Sequence, residues 1–249
     1  METNKLLSSI DQIKQQIDSH RPFSPHIVQQ LKEYFRIGLT WTSNALEGNS
    51  LTETETKVVL EDGLTIDGKP LRDHLEALGH SKAYDFMLNQ ASQKTITEET
   101  VLTLHKLFYS GIDIANAGNY RTVKIHITGT DFVFPTPTEL PSLMQAFIQE
   151  LPALQKEYHP VEYAALVHLK FVTIHPFIDG NGRTARLLMN LALIQHGYAI
   201  TIIPPIMRSE YINALKISNK GNQQPFVDLI TQMAYESHKD YLRILTQLI

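Results

Sequence analysis

Apolar residues recur at three- and four-residue spacing over most of the chain, the pattern of helices that bury one face. Ser24-Pro25 has the form of a helix start, a capping side chain followed by proline in the first turn. The spacing predicts a helix over 27–47, with Leu31, Phe35, Leu39, Thr42 and Leu46 on one face and Gly48 as its stop. Thr52-x-x-Glu55 reads as a capping box for a short helix. Residues 63–70 read as a connection. Helical spacing resumes over 71–91 through Leu75, Leu78, Ala83, Phe86 and Met87, and Thr97 stands where it can cap a helix over 98–109. The period then changes. Val123, Ile125 and Ile127 alternate with polar residues, 128–131 read as a turn, and Phe132-Val-Phe134 returns, which predicts one β-hairpin. Beyond a proline-rich stretch another helix is expected. Residues 160–174 then carry an apolar stripe at Val161, Ala164, Ala165, Phe171 and Val172. After a glycine-rich loop, 184–197 form a further apolar helix, and two or three helices complete the chain. The expected fold is all-α with a single hairpin.

Composition narrows the function. The 249 residues are 43% hydrophobic and 19% charged, enough for a sizeable core. Lys plus Arg is 22 against 26 Asp plus Glu, a net charge of −4. That balance argues against broad electrostatic binding to nucleic acid or anionic membrane, while leaving room for one local anion site. The lack of cysteine excludes disulfides, thiolate metal sites and a thiol nucleophile, and it accords with a reducing, cytoplasmic setting. Residues 1–20 lack the apolar core of a secretory signal, and no stretch of about 18 apolar residues exists, so no membrane span is expected.

The chemistry concentrates in His175-Pro-Phe-Ile-Asp-Gly-Asn-Gly-Arg-Thr-Ala-Arg186. A glycine-containing loop at a helix start suits anions, because the first N–H groups lack intrahelical partners and the helix dipole is positive there. Gly180 and Gly182 allow the turn and a close approach, and Asn181 tolerates the same conformations and adds an amide donor. Arg183 and Arg186, three apart, can reach one polyphosphate. Asp179 offers a hard oxygen for Mg²⁺, and His175 can take a proton from a hydroxyl. Singly, a histidine before proline is usually structural and Asp-Gly-Asn-Gly is usually a turn; their coincidence carries the reading. Competing motifs fit less well. Gly180-x-Gly182-x-x-Ala185 lacks the preceding strand of a dinucleotide site. Gly63-x-x-x-x-Gly68-Lys69 has Pro70 where a phosphate loop needs Ser or Thr. A zinc site of His168, His175 and Asp179 is a third alternative, with His168 more simply a core residue.

Residues 175–186 resemble the Fic family, whose signature is His-Pro-Phe-x-Asp/Glu-Gly-Asn-Gly-Arg-x-x-Arg. Gly118-Asn-Tyr-Arg121 before the predicted hairpin and His159-Pro160 before a core helix add to the likeness, which spans roughly residues 30–215. The resemblance implies a helical bundle with a β-hairpin flap, preceded over 1–55 by helices that include an inhibitory one, with the core and closing helices over 56–249. It implies transfer of AMP from ATP to a Ser, Thr or Tyr hydroxyl of a target protein. In that scheme His175 is the base, Asp179 holds Mg²⁺, Gly180, Asn181, Gly182 and Arg183 form the anion hole, and Arg186 grips the γ-phosphate. Thr128, Gly129, Thr130, Asp131 and Phe132 would lie nearest the target on the flap, and Tyr211 would border the adenine pocket. Ser43-x-x-x-Glu47-Gly48 resembles the family's inhibitory motif: Glu47 would pair with Arg186 and block the γ-phosphate, steadied by Ser43. Two alternatives follow from the same residues, removal of AMP with Glu47 orienting water, and a nucleotide sensor without catalysis. The expected partners are ATP and a hydroxyl-bearing protein, with no nucleic acid and no membrane, and with self-association open.

Overall fold

Side-chain caps start four of the described helices where the sequence puts them. The structure, a computed structural model, describes residues 2–126 and 132–249. Ser24 accepts a hydrogen bond from the Ile27 N–H at 3.3 Å, and Pro25 opens helix α2, Pro25–Ala45. Thr52 and Glu55 close both bonds of the capping box at 3.2 and 2.7 Å, starting α3, Glu53–Lys57, which runs into a wider turn over Val58–Asp62. Thr97 caps α5, Glu98–Tyr109, through the Thr100 N–H at 3.2 Å. His159 caps α7, Pro160–Ile174, by accepting from the Val161 N–H, while Glu162 accepts from the His159 N–H.

Helices α7 and α8, Asn181–Gln195, pack on each other at the centre and are buried on nearly every side. Around them lie α4, Leu71–Asn89, and α5 against α8, and α6, Leu140–Glu157, and α10, Gln224–Leu248, against α7. Helix α2 bridges α4 and α10, α1, Glu2–Ser19, runs along α10, and α9, Arg208–Ser218, also packs on α10. One apolar cluster runs through all of this, from Leu7 to Leu245. At the usual ~25 cal/mol per Å² each fully buried Leu or Phe adds about 2 kcal/mol, so α7 and α8 form a rigid floor on which the loop between them is displayed.

Two expectations are corrected. Among the described residues there is no strand: 121–126 and 132–136 run without a ladder, and Thr128, Gly129, Thr130 and Asp131 lie outside the described residues. The alternation there does not mark a buried face, since Val123 is 52% and Val133 87% exposed. The two ends of the segment instead converge on one buried guanidinium. Arg121 Nη1 donates to Val123 O at 2.9 Å and Nη2 to Pro135 O at 2.6 Å. Helix α4 is the second case. Leu78 is exposed, and the face turned inward carries Asp73, Glu76 and His80 between Ala77, Ala83 and Met87.

Burial also loads the core with neutral histidines. It pushes the pKa of His80 down to about 3, those of His105 and His238 down to about 4, and that of His168 well below its ordinary value. In the unfolded chain these groups protonate near pH ~6.5. Below that pH the unfolded chain binds protons that the folded chain refuses, so stability is intact above about 6.5 and is lost as pH falls toward about 4, by at most about 1.4 kcal/mol per group per pH unit. The melting midpoint is therefore expected to drop by several degrees between about pH 7.5 and about pH 5.5; equal midpoints would contradict this.

Candidate active site

The loop 175–180 is held from three directions. Helix α7 ends on His175, the one described non-glycine residue with positive φ (φ 51°, ψ 58°), its N–H bonded to Phe171 O at 3.0 Å. Left-handed backbone costs a non-glycine residue about 1–2 kcal/mol, and here the neighbours enforce it. Arg121 donates from Nε to His175 O and from its backbone N–H to Pro176 O, both at 2.9 Å. Phe177, fully buried, stacks parallel on His105 at 3.6 Å. His105 accepts from the Gly118 N–H on Nδ1 at 2.9 Å, so its other nitrogen carries the proton and donates to Asp179 O at 3.0 Å. Asn181 closes the turn, exchanging two 2.9 Å bonds with the Phe177 backbone. Its side-chain amide is thereby spent inside the protein, and what Asn181 offers a ligand is its backbone N–H.

Helix α8 begins one turn earlier than the apolar pattern suggests. Gly180 caps it in left-handed conformation (φ 76°), and the first intrahelical bond is Thr184 N–H to Gly180 O at 3.0 Å. The N–H groups of Asn181, Gly182 and Arg183 thus head the helix without intrahelical partners, a ready anion site. A Glu47 oxygen lies against its first turn: a Cβ added at Gly182 would lie 2.1 Å from Glu47 Oε1. Only glycine leaves that space free.

His175 carries a defined proton. Its Nδ1 lies 3.3 Å from Val172 O, which can only accept, so Nδ1 carries the hydrogen and Nε2 the lone pair. The ring packs against Phe134 at 4.7 Å. Burial lowers its pKa to about 4, with Arg121 adding to that effect and the Val172 carbonyl, Glu47 and Asp179 opposing it.

The two arginines part company. Arg186, 1% exposed, donates from Nε to Ser43 Oγ (2.9 Å), from Nη1 to Tyr211 OH (3.0 Å), and from Nη2 to Ser43 O (2.7 Å) and Glu47 Oε1 (2.8 Å). The expected ion pair with Glu47 is present. Glu47 is not on the helix, however. Helix α2 stops at Ala45, and the turn carrying Glu47 is held by Arg208, which donates from Nε to Leu46 O at 2.8 Å. Ser43 bonds Arg186 and not Glu47. Tyr211 is 2% exposed and sits behind Arg186, bonded also to His168 Nε2 at 2.9 Å, rather than at a pocket rim. Burial pushes the Glu47 carboxyl up, but Arg186 and Arg183 outweigh it and hold it below the ordinary carboxylate range.

Arg183 has a separate set of partners. It reaches Glu76 Oε1 at 2.9 Å and Asp179 Oδ1 at 3.1 Å, with its guanidinium over the Phe108 ring at 4.7 Å. Glu76, 5% exposed, also accepts from Arg72 Nε and Asn49 Nδ2, both at 3.0 Å. Asp179 takes the Gly180 N–H on Oδ1 at 2.6 Å and Arg72 on Oδ2. Burial raises the Asp179 pKa, while Arg183, the Gly180 N–H and Arg72 more than offset it, so the carboxylate is charged at neutral pH. Glu76, Arg72, His105 and Arg208 were not singled out in the sequence, and Arg121 only as part of the lead-in to the predicted hairpin. Glu76 left one signal, an acid at a buried-stripe position four residues after an arginine. Glu76→Ala takes from the buried guanidinium of Arg183 its one buried counter-charge among the described residues and leaves it the part-exposed Asp179. Removing one member of a buried pair costs about 3 kcal/mol or more, so urea denaturation should show a loss of that order, and a loss under about 0.5 kcal/mol would remove Glu76 from this role.

This arrangement has counterparts. Residues 95–193 match the Fic/DOC family. Over 202 residues, 80% of the chain, it is 41% identical to a Drosophila grimshawi protein named protein adenylyltransferase Fic and covers 41% of that protein. The chain spans less than half the length of the curated relatives it matches. The fold is similar to that of a C. elegans Fic-1 segment, with a TM-score of 0.89 at 27% identity over 99% of this chain and 74% of that one. A Glu-to-Gly variant of the same segment gives 0.85 at 30% identity, over 96% of this chain and 72% of that one. A family signature without a gap, a loop built as an anion site and these relatives agree, and the chain belongs to the Fic family.

Proposed function

We propose that the chain is a protein adenylyltransferase, moving AMP from ATP to a hydroxyl of a target protein, and that Glu47 restrains it. One observation carries this reading: the Glu47 carboxylate is bonded to Arg186 while lying against Gly182 in the first turn of α8. An anion already sits where the helix end and a buried guanidinium jointly attract one.

In the proposed reaction, His175 Nε2 accepts the proton of the target hydroxyl. The hydroxyl oxygen attacks the α-phosphorus, the bond from that phosphorus to the β-phosphate bridge breaks, and pyrophosphate leaves. The N–H groups of residues 181–183 and Arg183 receive the charge that develops on phosphate oxygens, and Arg186 holds the far end of the triphosphate once Glu47 yields it. Asp179 is charged and part-exposed, with hard oxygens, which fits Mg²⁺ held by one carboxylate and completed by phosphates. Among the described residues no group of three or more His, Cys, Asp or Glu is arranged to hold a metal alone, so a cation arriving with the nucleotide is the better fit. Such an ion supplies Lewis-acid neutralisation of the phosphates.

The test uses ATP labelled at either end, with Mg²⁺ and a cell extract as source of target. Label in the α-phosphate should enter protein and label in the γ-phosphate should not. Transfer of the γ-label, or of neither label from the Glu47→Gly form that nonetheless binds ATP, refutes the reading. In the second case a nucleotide sensor remains.

A further inference from the structure

Asp179, the residue offered for the cation, has both carboxylate oxygens engaged. Oδ1 takes the Gly180 N–H and Arg183 Nη2, and Oδ2 takes Arg72 Nη2. A divalent cation of the Mg²⁺ type needs a carboxylate oxygen at about 2.0–2.1 Å, and it repels a guanidinium bonded to the same group. Repulsion by the cation favours one arginine yielding. Arg183 cannot do so readily, with its side chain 5% exposed, paired to Glu76 and lying on Phe108. Arg72 can: its side chain is 52% exposed, it stands in the first turn of α4, and it keeps its bond to Glu76 Oε1 when it leaves Asp179.

We infer that Arg72 is a stand-in cation that competes with the metal for Asp179. In the nucleotide-free protein it neutralises Asp179 and ties α4 to the loop, and the ion that accompanies ATP displaces it toward Glu76. Glu76 is built for this exchange, because it holds Arg183 and Arg72 at once and so keeps Arg183 in place while Arg72 moves. The site is thus closed at both ends by its own side chains, Glu47 on Arg186 and Arg72 on Asp179. This inference rests on the proposed role of Asp179 and concerns Arg72 alone.

The consequence is a metal dependence set by Arg72. Without it the empty site gains negative charge at Asp179, which strengthens cation binding, and loses a positive charge near the phosphates, which weakens ATP binding in the absence of metal. Both effects raise the Mg²⁺ dependence of ATP binding. The test is made by calorimetry in the Glu47→Gly, His175→Ala form, so that no turnover intervenes. The Mg²⁺ concentration that half-saturates ATP binding is compared with and without Arg72→Ala, and with Arg72→Gln, which retains a hydrogen bond to Glu76 but no charge. For a part-exposed pair the expected change is about three- to fivefold less Mg²⁺ in both variants. An unchanged or higher requirement in both, with ATP binding weakened equally with and without metal, means that Arg72 merely supports the loop and overturns the inference. ATP binding that ignores Mg²⁺ even with Arg72 present removes the role of Asp179 first, and the inference with it.

Discussion

Replacing Glu47 with glycine is expected to raise AMP transfer about a hundredfold. Two contributions add. The Glu47 carboxylate takes a donor of Arg186 at 2.8 Å, and it places a like charge over the first turn of α8, where a phosphate would otherwise sit. Removing one oriented donor at a site of developing charge typically changes rate by about 10²–10³, and here a repulsion is lifted as well. The same change exposes a cost. Arg186 keeps Ser43 Oγ, Ser43 O and Tyr211 OH but loses the one counter-charge that pairs with it among the described residues. Because the Glu47 side chain is 34% exposed, solvent screens the pair, and the loss should be about 1 kcal/mol, well under that for a fully buried pair. The checks are α-phosphate label entering protein and a melting curve on the same preparations. Glu47→Gln, which keeps the shape and loses the charge, should fall between. Equal labelling by the wild type and both variants removes the restraint from the account.

His175→Ala should lower transfer by about a thousandfold while ATP affinity stays within about twofold, because the imidazole meets the hydroxyl and not the triphosphate. The pH profile adds a second readout. A base works only unprotonated. Burial holds His175 near pKa 4 in the free protein, so kcat/KM in the Glu47→Gly form should be level through neutral pH as far as this group is concerned and fall only toward about pH 4. Removing Glu47 takes away one charge that raises this pKa, which reinforces the expectation. Phosphates bound nearby raise it again, so the acid limb of kcat belongs at higher pH than that of kcat/KM. Coincident limbs, or residual transfer in His175→Ala above about a tenth, would place the base elsewhere.

What the sequence disclosed follows the range of the forces. Caps are local, and Ser24, Thr52 with Glu55, and Thr97 act where they were read. The N–H groups that head α8 are legible because helix geometry alone places them, whereas Arg183 and Arg186, expected on one polyphosphate, take separate partners. The Glu47–Arg186 pair spans 139 positions and was reached through a family likeness, not through spacing. Where side chains choose among several partners, reading failed. Ser43 bonds the arginine in place of the acid, Asn181 turns its amide to Phe177, and Tyr211 backs Arg186 from the core. The inward face of α4 was misread because a stripe of Asp73, Glu76 and His80 looks solvated until Arg183 and Ser50 arrive from elsewhere in the chain. The alternation at 121–126 was misread because period two reports a strand only when one face is covered, and Val123 is not covered.

The most direct measurement is a crystal structure of the Glu47→Gly form with a non-hydrolysable ATP analogue and Mg²⁺. The terminal phosphate is expected on Arg186, the phosphates over the N–H groups of Asn181, Gly182 and Arg183, and the α-phosphorus facing His175 Nε2. A triphosphate bound away from α8, or one whose α-phosphorus is out of reach of any hydroxyl that His175 can deprotonate, would contradict the proposed reaction.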